Sequence, residues 1–437
     1  MQSYSQIALR LQIYGFRKLT VEELRQTHEK VKKAVEIGLE KRLDDSIAEG
    51  GVLAIPTKCD FINYHEWEKV RNGKYVIVCN YGGTHWVTGL RRKMNDKFEK
   101  IGKDLVVVFP VQNRSFTFNE FIGLIKTEIC KIDNMLLKHA DTLGLALGFA
   151  QRPEWTEHGL DARLIPKEMT KYWEISDMRN LPYSGLIGEE LLNRLNHEFP
   201  DIKSIYVRND AEVIGNDVTM HNIYHLPLTF VMGTGINMVI NRKRDKQNVN
   251  LELGQAKIEL DTFTAVEYMH RSSDIDKREN ILEYHCGGDF VKSKVFHGLK
   301  NLALLKDANA LLRLFENDEE GELVSKLAKK EIMGLNFEDA EIASIVATAA
   351  LTQAGQLAGC AFSAVMEASG YMEECKSGGC ALSTDGSMLH KAHLVKEVFL
   401  NTVNEFLNTD KILLLESNGM DGMGKFALVK HENKTNC

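Results

Sequence analysis

Proline is scarce, seven residues in 437, and no stretch rich in Pro, Gly or Ser separates one part of the chain from another. Any domain boundary must therefore be crossed by ordered chain. The eight cysteines follow no regular framework, which fits reduced thiols rather than a disulfide scaffold. Cys375 and Cys380, in CKSGGC, lack the second pair that a zinc or iron–sulfur site needs. No long basic stripe is present: 54 Lys+Arg stand against 61 Asp+Glu, a net charge of -7, and RRK at 91–93 and NRKRD at 241–245 read as solvated turns. A nucleic-acid partner is not expected. The first twenty residues hold no unbroken apolar segment and no small-residue cleavage site, so the expectation is a cytoplasmic protein without an anchor. The uncharged run 345–366 has the length of a membrane span, but Thr, Gln, Ser, Ala and Gly dilute it, and it reads as a packed core helix.

What is present belongs to a compact soluble protein. Hydrophobic residues make up 44% and charged residues 26%, and the length suits two or three domains. Thr20-Val21-Glu22-Glu23 has the capping-box pattern and predicts a helix to about 43; Thr117-Phe118-Asn119-Glu120 predicts another to about 139. YVIVCNYGGTHWVTGLRR (75–92) and LTFVMGTGINMVINRKR (228–244) read as two hairpins with glycine turns. Strands are expected at 105–110, 143–150, 204–207 and 411–417, a helix at 186–197, mostly helix from 319 to 407, and a glycine-rich turn at the end. This alternation predicts an α/β fold with two similar halves.

Several motifs carry chemistry. Gly82-Gly83-Thr84 and Gly233-Thr234-Gly235 each offer open backbone N–H groups and a Thr hydroxyl from a rigid hairpin, ingredients for holding phosphate oxygens. A polyphosphate gripped between two lobes needs donors from both. Gly419 to Lys425 matches the first seven positions of a P-loop, but Phe426 stands where Ser or Thr must ligate Mg²⁺, and too little chain follows for a P-loop domain. Asn209-Asp210 closes the strand SIYV, where open α/β sheets place their ligand crevices, and Asp210 is a candidate general base for a hydroxyl. Glu252 (NLELGQA) and Glu279 (KRENILEY) are further carboxylates near turns, each readable as a solvated side chain. His221/His225 and His390/His393 have helical metal spacing, yet nothing suggests a third ligand.

In that order, NYGGTHW, Thr170-Lys171, RNDAEVIGN, MGTGIN, NLELGQ, DGS and DGMGK resemble the eukaryotic-type hexokinase family over residues 20–430. The resemblance implies an α/β, two-lobed actin-like (ribonuclease-H-like) fold, with a mixed sheet in each lobe and an active-site cleft between them. The small lobe would span 74–208, and the large lobe 20–73 and 209–437. It implies an ATP-dependent kinase for the 6-hydroxyl of a hexose, glucose or a related sugar, with Asp210 as base and Lys171 beside it. Thr170, Lys171, Asn209, Asp210, Asn237, Glu252 and Glu279 would hold the sugar. Asn80, Gly82, Gly83, Thr84, Gly233, Thr234, Gly235, Ser387, Gly424 and Lys425 would hold ATP, which carries Mg²⁺ without a direct protein ligand.

The chain departs from the family pattern at Asn80, where an Asp begins the first phosphate loop, and at His85, where Asn is usual. Gly148 and Ala150 stand for a Ser and a Pro of a sugar-binding turn, Ala211 for a Thr, and Met423 for a Ser of the adenosine loop. A second reading follows: a hexokinase-like regulator that binds sugar or nucleotide with little catalysis.

Overall fold

The computed structural model describes residues 9, 11–12, 15–41, 43–82, 85–95, 97–108, 114–133, 137–165, 173–175, 185–218, 225–258, 260, 281–301, 307–316, 322–332, 334–377 and 380–435. Two mixed sheets organise it. In the first, β10 (Ser204–Asn209) lies parallel to β6 (Ala140–Leu147) and β6 parallel to β2 (Tyr75–Tyr81); β2, β3 (His85–Met94) and β4 (Lys97–Val108) then follow as an antiparallel meander. In the second, β1 (Ile55–Pro56), β13 (Gln247–Asn250), β12 (Ile236–Arg242) and β11 (His225–Met232) pair antiparallel, and β14 (Cys380–Asp385) and β15 (Ile412–Glu416) continue in parallel from β11. Both glycine hairpins form as the sequence predicts. Two short pairs complete the strands, β5 (Arg114–Phe116) with β9 (Trp173–Ile175), and the hairpin of β7 (Gln151–Thr156) and β8 (Gly159–Leu164).

Side-chain alternation gives the first sheet two buried faces. Ile77, Cys79 and Tyr81, with Leu143, Leu145, Ile205 and Val207, pack on Phe121, Ile122 and Ile125 of the helix Phe118–Cys130. The opposite face, with Val76, Val78, Ala146 and Tyr206, packs on Met423, Phe426 and Ala427 of the closing helix, Gly419–Thr435. The second sheet buries Phe230, Met232, Met238 and Leu382 against the long core helix Phe337–Ala368 and its neighbour His393–Leu407. Phe230 meets Phe362 edge-on with ring centroids 5.7 Å apart. The uncharged run 345–366 is thus an interior helix, which is why it could dispense with charge.

Both capping boxes are present. Glu23 N donates to Thr20 Oγ1 at 3.2 Å while Thr20 N donates to Glu23 Oε2 at 2.8 Å, and Thr117 and Glu120 do the same. The helices end earlier than periodicity predicts, at Glu40 and Cys130. Within the stretch predicted as mostly helical, β14 inserts between β11 and β15; its short apolar segment is too brief to show a strand period against the surrounding helices.

One further expectation is corrected. The glycine-rich end is no turn but the start of the closing helix, and that helix packs on the first sheet as well as on the helix Asp210–Val218. Ile62, Trp67 and Val70 join the same cluster, so residues on both sides of the expected lobe boundary belong to the first sheet's packing. Glycine explains the error: a methyl group at Gly422 would stand 2.1 Å from Val213 O, and one at Gly424 2.5 Å from the Phe98 ring. These glycines are spaces for close helix packing, which a one-dimensional reading cannot tell from turn residues.

Candidate functional site

The parallel strands β6 and β10 end together, with Asn209 opposite Leu147 and Tyr81 of β2 opposite Leu147 on its other side. Asp210 therefore emerges at the carboxyl edge of the first sheet, as the first residue of the helix Asp210–Val218. Its turn is held tightly. Ala211 N donates to Asp210 Oδ1 at 2.7 Å and to Asn209 Oδ1 at 2.9 Å, and Asn209 Nδ2 donates to Phe149 O at 3.1 Å. Asn209 is buried and Asp210 half-buried, so a reagent in the cleft can reach the second. A methyl group at Gly148 would stand 2.9 Å from Asp210 Oδ2 and 3.2 Å from the Cα of Gly82. The first hairpin turn and the Asp210 carboxylate thus meet at one bare stretch of backbone.

On the second sheet, Asn237 and Glu252 come together as the motif order suggested. Asn237 Nδ2 donates to Glu252 Oε1 at 3.3 Å, Asn250 Nδ2 donates to the same oxygen at 3.0 Å, and Leu253 N donates to Asn237 Oδ1. Glu252 is 3% exposed and sits at φ 42°, ψ 48°, a left-handed conformation that a Glu adopts only when its surroundings impose it. Glu283, which the sequence reading did not single out, puts its carboxylate against Gly254: a methyl group there would meet Glu283 Oε2 at 2.3 Å. A carboxylate four residues beyond Glu279 in the sequence was the available signal.

The second hairpin turn, Gly233 to Gly235, is half-buried and closed by Gly233 N donating to Gly235 O at 2.9 Å. Gly386 lies on it at φ 111°, where a methyl group would stand 2.6 Å from Gly233 N, and Gly288 N donates to Gly233 O. Only glycine fits Gly386. Ser387 follows as an exposed residue at the head of a short helix. Where Gly233 and Gly386 meet, backbone faces backbone without a side chain between, the kind of surface on which phosphate groups can approach N–H donors. Asp385, at the end of β14, has its carboxyl pushed up to about 6, by burial and by the negative charges of Asp210 and Glu416, against the stabilising Gly386 N–H. Asn80 approaches from the other sheet: a methyl group at Gly419 would meet Asn80 Nδ2 at 2.6 Å and Asp385 Oδ2 at 3.9 Å. The two sheet ends therefore face one cleft.

Gly424 and Lys425 are placed elsewhere. Gly424 packs under Phe98 and Val78, and Lys425, 8% exposed, pairs with Asp217 between the two helices that bear them. Neither stands in the expected turn. Met423 is likewise fully buried against Gly144, in the core. Gly83, Thr84, Thr170, Lys171 and Glu279 lie outside the described residues.

No family model matches the chain, and no curated protein matches it. Solved structures do. The hexokinase from Schistosoma mansoni, complexed with glucose, superimposes with a TM-score of 0.72 at 15% identity, over 98% of this chain and 100% of that one. A second hexokinase gives a TM-score of 0.66 at 14% identity, over 98% and 99%. A glucokinase from Balamuthia mandrillaris, in complex with glucose, gives 0.50 at 15% identity, over 95% and 100%. The chain carries the hexokinase fold, a two-lobed actin-like α/β architecture with a mixed sheet in each half.

Proposed function

We infer that this chain is an ATP-dependent hexose kinase, transferring the γ-phosphoryl group to the 6-hydroxyl of glucose or a related sugar with Asp210 as general base. The observation that carries this reading is the convergence of Asp210, the first glycine turn and the bare backbone of Gly148 at one point of the cleft. A primary hydroxyl is a weak nucleophile at neutral pH. A carboxylate within hydrogen-bond reach takes its proton as the oxygen attacks phosphorus and the bond to ADP breaks. Asn237 and Glu252, locked to each other and to Asn250, offer a rigid polar wall for sugar hydroxyls. Asn209, Thr170, Lys171 and Glu279 complete the sugar site in this reading.

The residues present fit a nucleotide. Gly82 to Thr84 and Gly233 to Gly235 would hold its phosphates, with Ser387 beside them and Asn80 at the mouth, because side-chain-free backbone at Gly233 and Gly386 leaves room for them. Mg²⁺ carried by ATP would supply charge neutralisation at the phosphates. Lys425 is left out of that set by its pairing with Asp217. The protein contributes position and a site from which closure excludes water.

A second reading is favoured by Asn80: an amide stands where a carboxylate would help orient hydrated metal, consistent with a sugar- or nucleotide-binding regulator. Release of ADP by purified protein with MgATP, across hexoses, hexosamines and water alone, decides between them. Hexose-dependent turnover lost in Asp210→Asn supports the kinase. No turnover with any sugar, together with a sugar-induced rise in Tm, supports the binder.

A further inference from the structure

Directly beneath the turn that presents Asp210 lies a buried ion pair that neither the motif reading nor the resemblance singles out. Arg208, the penultimate residue of β10, and Glu212, in the first turn of the following helix, approach with Nε 2.5 Å from Oε2; their side chains are 0% and 2% exposed. The guanidinium lies over the ring of Phe426, 4.5 Å from its centroid, on the sheet face that Val76, Val78 and Ala146 otherwise keep apolar. None of its three nitrogens makes a well-aligned hydrogen bond among the described residues, so the contact with Glu212 is one of charge. Such a pair is a poor way to gain stability, because withdrawing two charges from water costs about as much as their attraction returns, and apolar residues of similar volume often do better.

Its position gives the reason. The pair brackets Asp210, two residues before it and two after, and so ties the end of the strand to the start of the helix across the turn that aims the carboxylate. The Glu212 carboxylate lies within the electrostatic reach of both Asp210 and Glu252. We propose that Arg208 and Glu212 form a buried charge clamp that positions Asp210 for accepting the proton of the substrate hydroxyl. Both are positioning residues, since they act through Asp210, and the inference rests on the reading of Asp210 as the base. Asp385 faces Asp210 from the end of β14, Glu252 bears on Glu212 from the turn after β13, and Lys425 and Asp217 neutralise each other on the helices alongside.

The test is the titration of the Asp210 carboxyl by ¹³C NMR in free protein, its signal assigned by absence in Asp210→Asn, with turnover measured in parallel. Arg208→Met removes the cation and should raise the midpoint; Glu212→Gln leaves the cation unopposed and should lower it. Each shift should be at least about half a pH unit, the order expected when one neighbouring unit charge is removed from a partly buried site. The double variant Arg208→Met/Glu212→Leu, apolar and of similar volume, should keep its Tm within a few degrees yet lose turnover by about 10-fold or more at unchanged hexose KM. Shifts of the same sign in both single variants, no shift in either, or full turnover in the double variant would overturn the clamp. Should a single variant fail to fold, Arg208→Lys and Glu212→Asp replace it; these keep the charges but lose the planar fork and the reach. Their turnover should fall while the midpoint moves less, and unchanged turnover in both rejects the clamp. Absence of hexose-dependent turnover in the parent protein sinks the kinase reading instead, and the two opposite shifts still decide whether Arg208 and Glu212 act on Asp210.

Discussion

Gly148 approaches Asp210 so closely that a single methyl group in its place would stand 2.9 Å from the carboxylate oxygen Oδ2. Backbone and base share a space that admits no side chain without movement. Gly148→Ser should push the carboxylate or the turn aside and lower hexose-dependent turnover by about 10-fold or more, since misplacing a reacting group by about 1 Å costs up to two orders of magnitude. Steady-state kinetics with a Tm control checks this. Wild-type turnover in Gly148→Ser would show that the site relaxes at no cost.

Asp210→Asn keeps shape and removes basicity. Turnover should fall by a factor of about 10² to 10⁴, the usual contribution of a general base, while hexose binding measured by calorimetry stays within a few-fold. Retained turnover would remove Asp210 from the chemistry.

Glu252 accepts from two buried amides, those of Asn237 and Asn250. Glu252→Ala leaves both donors unsatisfied and should cost about 1–3 kcal/mol of stability per stranded group, read by denaturant unfolding. Hexose affinity should fall with it. An unaltered hexose Kd would place the sugar elsewhere.

Lys425 tests whether the closing helix serves the nucleotide or the fold. Because Lys425 and Asp217 are both largely buried, Lys425→Met strands a carboxylate and should destabilise the protein by about 3–5 kcal/mol, with the KM for MgATP unchanged. A raised KM at unchanged stability would return Lys425 to the nucleotide site.

Lys294 is a buried lysine that donates to Gln353 Oε1 at 2.6 Å inside the second sheet's helical layer. Burial pushes its ammonium down to about 7, so the unfolded chain binds the proton more tightly than the folded one. Stability should therefore rise with pH between about 7 and 10.5, by up to about 1.4 kcal/mol per unit, and should not depend on this group below 7. Lys294→Met should flatten that rise and raise the Tm at pH 7. Unchanged slopes in urea titrations at pH 7 and 9 would show that the lysine stays charged inside.

The amino-acid sequence by itself determined the local pieces: both capping boxes, both glycine hairpins, the apolar strands, the core helix, and the Asn209-Asp210 step at a strand end. Each is encoded in a few neighbouring residues through periodicity, cap hydrogen bonds or turn geometry, and so can be read in one dimension. Only the tertiary structure decided which glycines make turns and which make room, because Gly82 and Gly424 differ in what lies opposite them, a hairpin partner for one and Phe98 for the other. It likewise sent the closing helix to the first sheet, slipped β14 between β11 and β15, brought Asn250 to Glu252, and set the Arg208–Glu212 pair under Asp210. Close approach and buried charge are relations between distant or facing groups, and their energies appear only when the chain has closed around them.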